Sequence, residues 1–279
     1  QFGSKYGVSN TFGKTKINEI KKIIDLSIKS KFNFIDTAQN YNDAEKILGK
    51  LNLSNFHVST KLPEIDLKKI NKNKDFFNIY IEKSFNNLNL NKLFCIFLHN
   101  PNQLLNSDGE KIFKELKNLK KHNLIKKIGI SVYSPEEIKK IISNYDIDVV
   151  QCPFNIIDNR LIDSGMYEKL NSKNIEIEIR SIFLQGLLLM TKNQIPTQFN
   201  KYNSIFNLWF DFLSKNNITP VDACVNFVKR YKKIKRLVMG FENSNQLNEV
   251  ITSFNTNINL DYPDIRSIDK KLINPSIWK

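Results

Sequence analysis

The sequence has little that would staple it covalently or anchor it in lipid. Its three cysteines, Cys95, Cys152 and Cys224, are an odd number with no CxxC spacing. That argues against a disulfide framework or a zinc site and for a reducing compartment. Cys95 and Cys152 fall in or beside apolar runs, where a thiol reads as a small core residue. No apolar stretch approaches the roughly 20 residues of a membrane span. The opening lacks the basic-then-apolar order of a secretory signal. A cytoplasmic location without a membrane partner is therefore expected. The chain opens on QFG rather than Met, and is expected to begin partway through a first strand. No G-x-G-x-x-G fingerprint occurs. The segment from Gly7 to Thr15 imitates a phosphate-binding loop but has five residues between its glycines, where that motif needs four.

Acidic charge is also in short supply. Lys and Arg number 42 against 28 Asp and Glu, a formal charge of +14. A nucleic-acid binder would gather such charge into a patch. Here lysines are spread over most helical stretches, so solvated helix faces are the better reading and nucleic acid is not an expected partner. The excess would still attract anionic small molecules.

What is present is a regular beat. Helical periodicity over 16–30, 42–50, 75–88, 109–122, 135–143, 161–172, 202–215, 220–232 and 244–254 alternates with strand-like runs. Those runs cover 32–36, 56–60, 93–98, 126–130, 147–151, 175–180 and 235–239. Strands alternating with helices read as βαβ units on a parallel sheet. Seven complete strands, with Gln1–Phe2 as the stub of an eighth, predict an α/β protein closed into a (β/α)8 TIM barrel. No linker interrupts the chain, so residues 1–279 are expected to form a single domain.

The strands end informatively. FNFID ends on Asp36 with Tyr41 five residues on, FHVSTK ends on Lys61, and LFCIFLH ends on His99. Ser131, Gln151, Arg180–Ser181 and Gly240 close the later strands. Polar termini on consecutive strands are what the catalytic face of a barrel presents. A tyrosine ordinarily titrates near pH 10, too high for efficient proton donation near neutrality. A lysine ammonium beside it lowers that value, a carboxylate holds the lysine charged, and an imidazole can fix a substrate oxygen. The set suits proton delivery to a carbonyl oxygen. With no metal cluster to supply electrons, a diffusible cofactor must bring the hydride.

These residues resemble the aldo-keto reductase family, in its bacterial aldo/keto reductase-like branch. The family's Asp, Tyr five later, strand-end Lys and strand-end His are met by Asp36, Tyr41, Lys61 and His99. FIDTAQNYNDAEKILGK, LHNP, GISVY, VQCPFN, RSIFLQGLL and MGFENSNQLNEV carry the likeness along nearly the whole chain. The resemblance implies NAD(P)H-dependent reduction of an aldehyde or ketone, with Tyr41 as proton donor. It matches Gln151 and Ser131 to groups holding the nicotinamide carboxamide. Arg180 falls where many members stack an aromatic ring on the nicotinamide. Ser181 through Gly186 fall where the pyrophosphate is cradled. Val132 stands where the family usually has Asn.

Members preferring NADPH place basic residues soon after the glycine matched by Gly240. Here Phe241, Glu242, Asn243 and Ser244 follow, with Gln246 and Glu249 near the expected adenine site and Val250 in place of Asn. A carboxylate at Glu242 suits a free 2′-hydroxyl, so NADH is expected over NADPH. The alternative is that Glu242 faces solvent and Arg236 or a loop lysine holds the phosphate. Loops 102–109 and 187–202 and the tail 262–278 are expected to set specificity. Trp209, Phe210 and Trp278 either line that pocket or pack in the core. The expected partner is a small-molecule carbonyl compound, sugar-linked by analogy, and the expected state a monomer or weak oligomer. Two other classes stay open: an NAD(H)-binding sensor or regulatory protein with this fold and little turnover, and a nucleic-acid-associated protein.

Overall fold

The computed structural model describes residues 2–5, 7–10, 13–66 and 77–278, with side chains omitted at 77 and 78. Seven strands form one parallel sheet in chain order: β1 (Phe34–Asp36), β2 (His57–Leu62), β3 (Leu93–Leu98), β4 (Ile125–Ser131), β5 (Val149–Pro153), β6 (Glu176–Arg180) and β7 (Ile234–Val238). The helices between them are α1 (Ile17–Lys29), α2 (Ala44–Leu48), α3 (Glu82–Leu88), α4 (Gly109–Lys121), α5 (Pro135–Ile141), α6 (Arg160–Asp163), α7 (Met166–Ser172), α8 (Asn203–Asn216), α9 (Pro220–Lys229), α10 (Ser244–Asn255) and α11 (Lys270–Ile273). The sheet curls until β7 meets β1, where the Arg236 guanidinium lies 4.8 Å from the Phe34 ring centre. This is a (β/α)8-type barrel with seven described strands. Phe2 and Gly3 lie in a turn, so the expected strand stub is not found at Phe2; Gln1 lies outside the described residues, as do residues 75 and 76 of the helix expected over 75–88.

Alternation decides which side chains reach the interior. On β6, Ile177 and Ile179 are fully buried under the helices, which turns Glu176, Glu178 and Arg180 inward. β3 is buried on both faces throughout, as a strand sandwiched between barrel core and helices must be. Phe97 fills the interior because its neighbour on β4 is Gly129, where a Cβ would lie 2.4 Å from the ring.

Helices present an apolar stripe to the sheet. On α4, Ile112, Phe113, Leu116 and Leu119 recur at three- and four-residue spacing, and all are buried. Each fully buried Leu or Ile contributes about 2 kcal/mol of transfer free energy. α5 starts with a capping box between Ser134 and Glu137 with Pro135 at its first position, and α9 with Thr219 and Pro220. Glycine is scarce, and asparagine takes its place at several helix ends. Asn89, Asn123, Asn174 and Asn217 adopt left-handed φ between 49° and 58° just after α3, α4, α7 and α8, a conformation Asn tolerates better than other side chains.

Two segments are more ordered than the pattern implied. Three 3-10 stretches fall in or run into the loop over 187–202, and the tail carries α11 and a 3-10 turn. The expected helix over 161–172 is split at Gly165, whose φ is 69°. Trp209 is 1% exposed and donates to the Leu188 carbonyl at 3.2 Å. Trp278 packs on Phe199. Neither tryptophan, nor Phe210, lines the main cavity; they are packing residues. The three cysteines are buried and unpaired in the fold. No helix among the described residues is long and apolar enough to cross a membrane.

Candidate active site

The loop after β1 is braced before it presents any chemistry. Its backbone continues the sheet ladder, with Thr37 donating to the Ser59 carbonyl at 3.0 Å and Gln39 to the Lys61 carbonyl at 3.1 Å. The buried carboxylate of Glu45 on α2 accepts from Thr60 and Ser84 at 2.7 Å and from Asn87 at 3.2 Å. Gly3 fits against the backbone of Tyr41, Asp43 and Ala44, where a Cβ would come within 2.7 Å. Tyr41 is therefore carried on a short segment fixed from three sides.

Lys61 is 1% exposed, and its ammonium pairs with Asp36. It stands 5.4 Å from the Tyr41 ring centre and 5.7 Å from that of Phe97. Burial works to strip its proton, but Asp36 and then Tyr41 outweigh that, and the ammonium is held above its usual range. His99 follows β3 and continues the ladder by donating to the Leu62 carbonyl at 3.1 Å. Its ring stands edge-on to Tyr41, centres 5.8 Å apart. Burial first, then Lys61 and Arg180, push the imidazole down to about 4, so it is neutral at pH 7. Nδ1 is buried without a partner, which leaves Nε2 as the nitrogen available to the cavity that His99 lines.

Below this rim runs a polar chain through the barrel interior. Asp36 accepts from the Gln151 amide at 2.9 Å, and the same nitrogen donates to Glu178 at 3.1 Å. Glu178 accepts from Arg236 at 2.5 Å, Arg236 also pairs with Glu176, and Glu176 with Lys127 at 2.5 Å. Barrel interiors usually favour branched apolar side chains. Burial, reinforced by Asp36 and offset by Arg236, holds the Glu178 carboxyl above its ordinary range. Glu176, Glu178 and Lys127 had drawn no attention in the sequence, although IEIEIR carried the signal: two glutamates two residues apart share one face of a buried strand. The chain also corrects one expectation. Arg236 is committed to Glu176 and Glu178 on the interior face of β7 and does not serve a phosphate at the rim.

A cavity of about 330 Å³ opens at the carboxyl ends of the strands and reaches down the seam between β1 and β7. It gathers Asp36, Tyr41, His99, Ser131, Gln151, Arg180, Ser181, Gly186, Gly240, Glu242, Gln246 and Glu249. Of the candidate residues only Lys61 stands behind its wall. Gln151 Oε1 is buried and without a donor. After β6 the backbone takes left-handed φ at Ser181, Leu184, Gln185 and Gly186. Asn155 steadies this turn by donating to the Ser181 carbonyl at 3.0 Å. Gly186 abuts Ser9, where a Cβ would fall 1.9 Å from the hydroxyl oxygen.

At the β7–α10 corner, Gln246 accepts from the Glu242 backbone at 2.8 Å, and Asn243 caps α10. Glu19 of α1 accepts from both the backbone and hydroxyl of Ser244 at 2.7 Å. Those two bonds hold the Glu19 carboxyl down to about 2. Glu242 is half-buried, and burial raises it. Val132 is buried, its carbonyl accepting from Arg180 at 2.9 Å. Glu19, Asn155 and Tyr133 carry no local signal of a role, because only the fold brings them to the site.

Comparisons with known proteins agree with this fold. The model of the aldo/keto reductase family matches residues 2–273. The D-arabinose 1-dehydrogenase of Saccharomyces cerevisiae is 26% identical over 199 residues, which is 65% of this chain and 58% of the yeast enzyme. The chain thus spans less than two thirds of that relative. Among solved structures, the aldo-keto reductase AKR11C1 from Bacillus halodurans in its apo form superposes with a TM-score of 0.70 at 16% identity, over 88% of this chain and 84% of that one. The glycerol dehydrogenase AKR11B4 from Gluconobacter oxydans gives 0.65 at 17%, over 92% of each. A barrel with strand-end Asp36, Lys61 and His99 around Tyr41, matched almost end to end, belongs to the aldo/keto reductase family.

Proposed function

We propose that the protein reduces an aldehyde or ketone to an alcohol with NAD(P)H, using Tyr41 as proton donor. The observation that carries this reading is the buried Lys61 ammonium, paired with Asp36 and 5.4 Å from the Tyr41 ring. A cation there favours the phenolate and so eases release of the phenol's proton. Neutral His99 donates to the carbonyl oxygen through Nε2 and orients it between imidazole and phenol. The proton passes from the Tyr41 hydroxyl to that oxygen as the carbonyl carbon is reduced. Positioning and charge stabilisation of this kind are realised in the transition state, which is where they raise kcat.

The cofactor would supply the hydride. The chain's residues fit a nicotinamide dinucleotide in two respects. Gln151 Oε1 is a buried acceptor lacking a donor, as a carboxamide N–H would provide, with Ser131 beside it. Left-handed φ at Ser181, Leu184, Gln185 and Gly186 folds the loop after β6 into a tight turn on the cavity wall, a backbone shape that suits pyrophosphate. Arg180 would flank the nicotinamide, and Gly240, Glu242, Gln246 and Glu249, on the same cavity, would hold the adenosine end. NADH is preferred: Glu242 has no cationic partner among the described residues, and Ser244 already donates both its hydrogens to Glu19. A 2′-phosphate would meet two carboxylates there. One solved relative is described as a holo form of AKR11C1. Relatives named for D-arabinose and glycerol dehydrogenation favour a small polar carbonyl as partner.

The test is Lys61→Met. It should lower carbonyl-dependent NADH oxidation by roughly 10²- to 10⁴-fold and shift the remaining activity toward higher pH. Full activity in this variant would remove Lys61 from the chemistry.

A further inference from the structure

Cations in and around the barrel interior are matched to carboxylates: Lys61 to Asp36, Lys127 to Glu176, Arg236 to Glu176 and Glu178, and Arg160 to Asp158. Arg180 is the exception among them. It ends β6 facing inward, two residues beyond Glu178, and lines the cavity with Tyr41 and His99. Its guanidinium donates to the Val132 carbonyl at 2.9 Å and to the Ser181 hydroxyl at 3.4 Å, and one face lies 4.3 Å from the Tyr133 ring centre. None of these partners carries charge. A guanidinium has five N–H donors and stays protonated, so three donors remain.

The nearby carboxylate is paired elsewhere: Asp36 accepts from Lys61 on one oxygen and from Gln151 on the other. Glu178 is held by Arg236 and Gln151. The other carboxylates on the cavity, Glu242 and Glu249, belong to the β7–α10 corner. A half-buried cation, held by Val132 and Tyr133 with no carboxylate paired to it, has donors to offer an incoming anion. The charge is also close enough to His99 to help push its proton off, which places it beside the reacting carbonyl.

Resting on the reductase reading, we propose that Arg180 binds an oxyanion on the substrate: the carbonyl compound carries a carboxylate or phosphate a few atoms from the reacting carbon. The guanidinium face is left for the nicotinamide and its edge for the anion, the fork-like pairing that distinguishes Arg from Lys. The chain's net positive charge would draw such substrates in.

The experiment compares matched aldehydes with NADH: butanal against 4-oxobutanoate, and glyceraldehyde against glyceraldehyde 3-phosphate. The wild type should favour one anionic member by roughly 10- to 100-fold in kcat/KM, mainly through KM, and the pair showing it says whether carboxylate or phosphate is recognised. In Arg180→Met, which keeps an apolar contact on Tyr133, that ratio should fall toward one. Arg180→Lys should keep part of it. Independently of any variant, acetate or inorganic phosphate should inhibit butanal reduction competitively with the aldehyde and not with NADH.

Reduction of the neutral aldehydes with no anionic preference would overturn the inference and leave the reductase reading standing. A ratio unchanged in Arg180→Met, with the NADH dissociation constant raised instead, would also overturn it, by assigning Arg180 to the cofactor. Failure to reduce any of the four would sink both.

Discussion

The Gln151 amide donates to one oxygen of Asp36 across 2.9 Å, while the other oxygen of that carboxylate holds Lys61. The same nitrogen reaches Glu178 at 3.1 Å, so both amide hydrogens are committed and the carbonyl oxygen is left over. Two carboxylates thus set which way the amide points. Gln151→Leu removes the acceptor offered to the cofactor and a donor from Asp36. It should weaken NADH binding roughly tenfold, the worth of one well-placed hydrogen bond to a buried group. A fluorescence titration reads this directly, and an unchanged dissociation constant would take Gln151 out of cofactor binding.

The ion pairs inside the barrel make a stability prediction. Glu178→Leu leaves Arg236 inside with Glu176 as its remaining carboxylate, at a cost of about 3 kcal/mol. Replacing Arg236 by Leu as well should recover much of that loss, since Glu176 keeps Lys127. Urea unfolding of the two single variants and the double variant measures the coupling. Additive losses would show that the pair contributes nothing as a pair.

His99 sets an acid limit. In the unfolded chain it protonates near 6.5, but in the fold only near 4. Between those values the unfolded state binds the extra proton, so stability falls as pH is lowered through that window. The contribution is complete above about 6.5 and gone below about 4. In His99→Asn the slope of unfolding free energy against pH between 4 and 6.5 should flatten. An NMR titration placing His99 at 6.5 would contradict this picture.

The β7–α10 corner predicts a cofactor switch. Glu242→Arg alone should improve NADPH affinity modestly, because Glu19 still occupies the Ser244 backbone and hydroxyl. Combining it with Glu19→Ala frees those donors and should raise NADPH affinity by at least about tenfold over the single variant. Equal NADH and NADPH affinity in the wild type would dismiss the electrostatic argument.

Much of this was legible in the sequence for stated reasons. Strand periodicity located all seven strands within two residues at their ends, and the capped starts of α5 and α9 were visible as Ser134–Pro135 and Thr219–Pro220. The strand-end residues Asp36, Lys61 and His99 announced the rim because such groups seldom close a buried strand by chance. What stayed hidden depends on distance across the fold. Glu19 lies 225 positions from Ser244, and Arg236 lies 58 from Glu178. No local pattern can pair them. The short helices in the tail and in the loop over 187–202 stay hidden because they lack an apolar stripe long enough to show a period.

The measurement closest to the central claim is Tyr41→Phe, assayed for carbonyl reduction and for NADH binding in parallel. Removing one oxygen atom should lower kcat by roughly 10²- to 10⁴-fold while leaving the NADH dissociation constant within a few fold. Reduction persisting at the wild-type rate would contradict the assignment of Tyr41 as the proton donor.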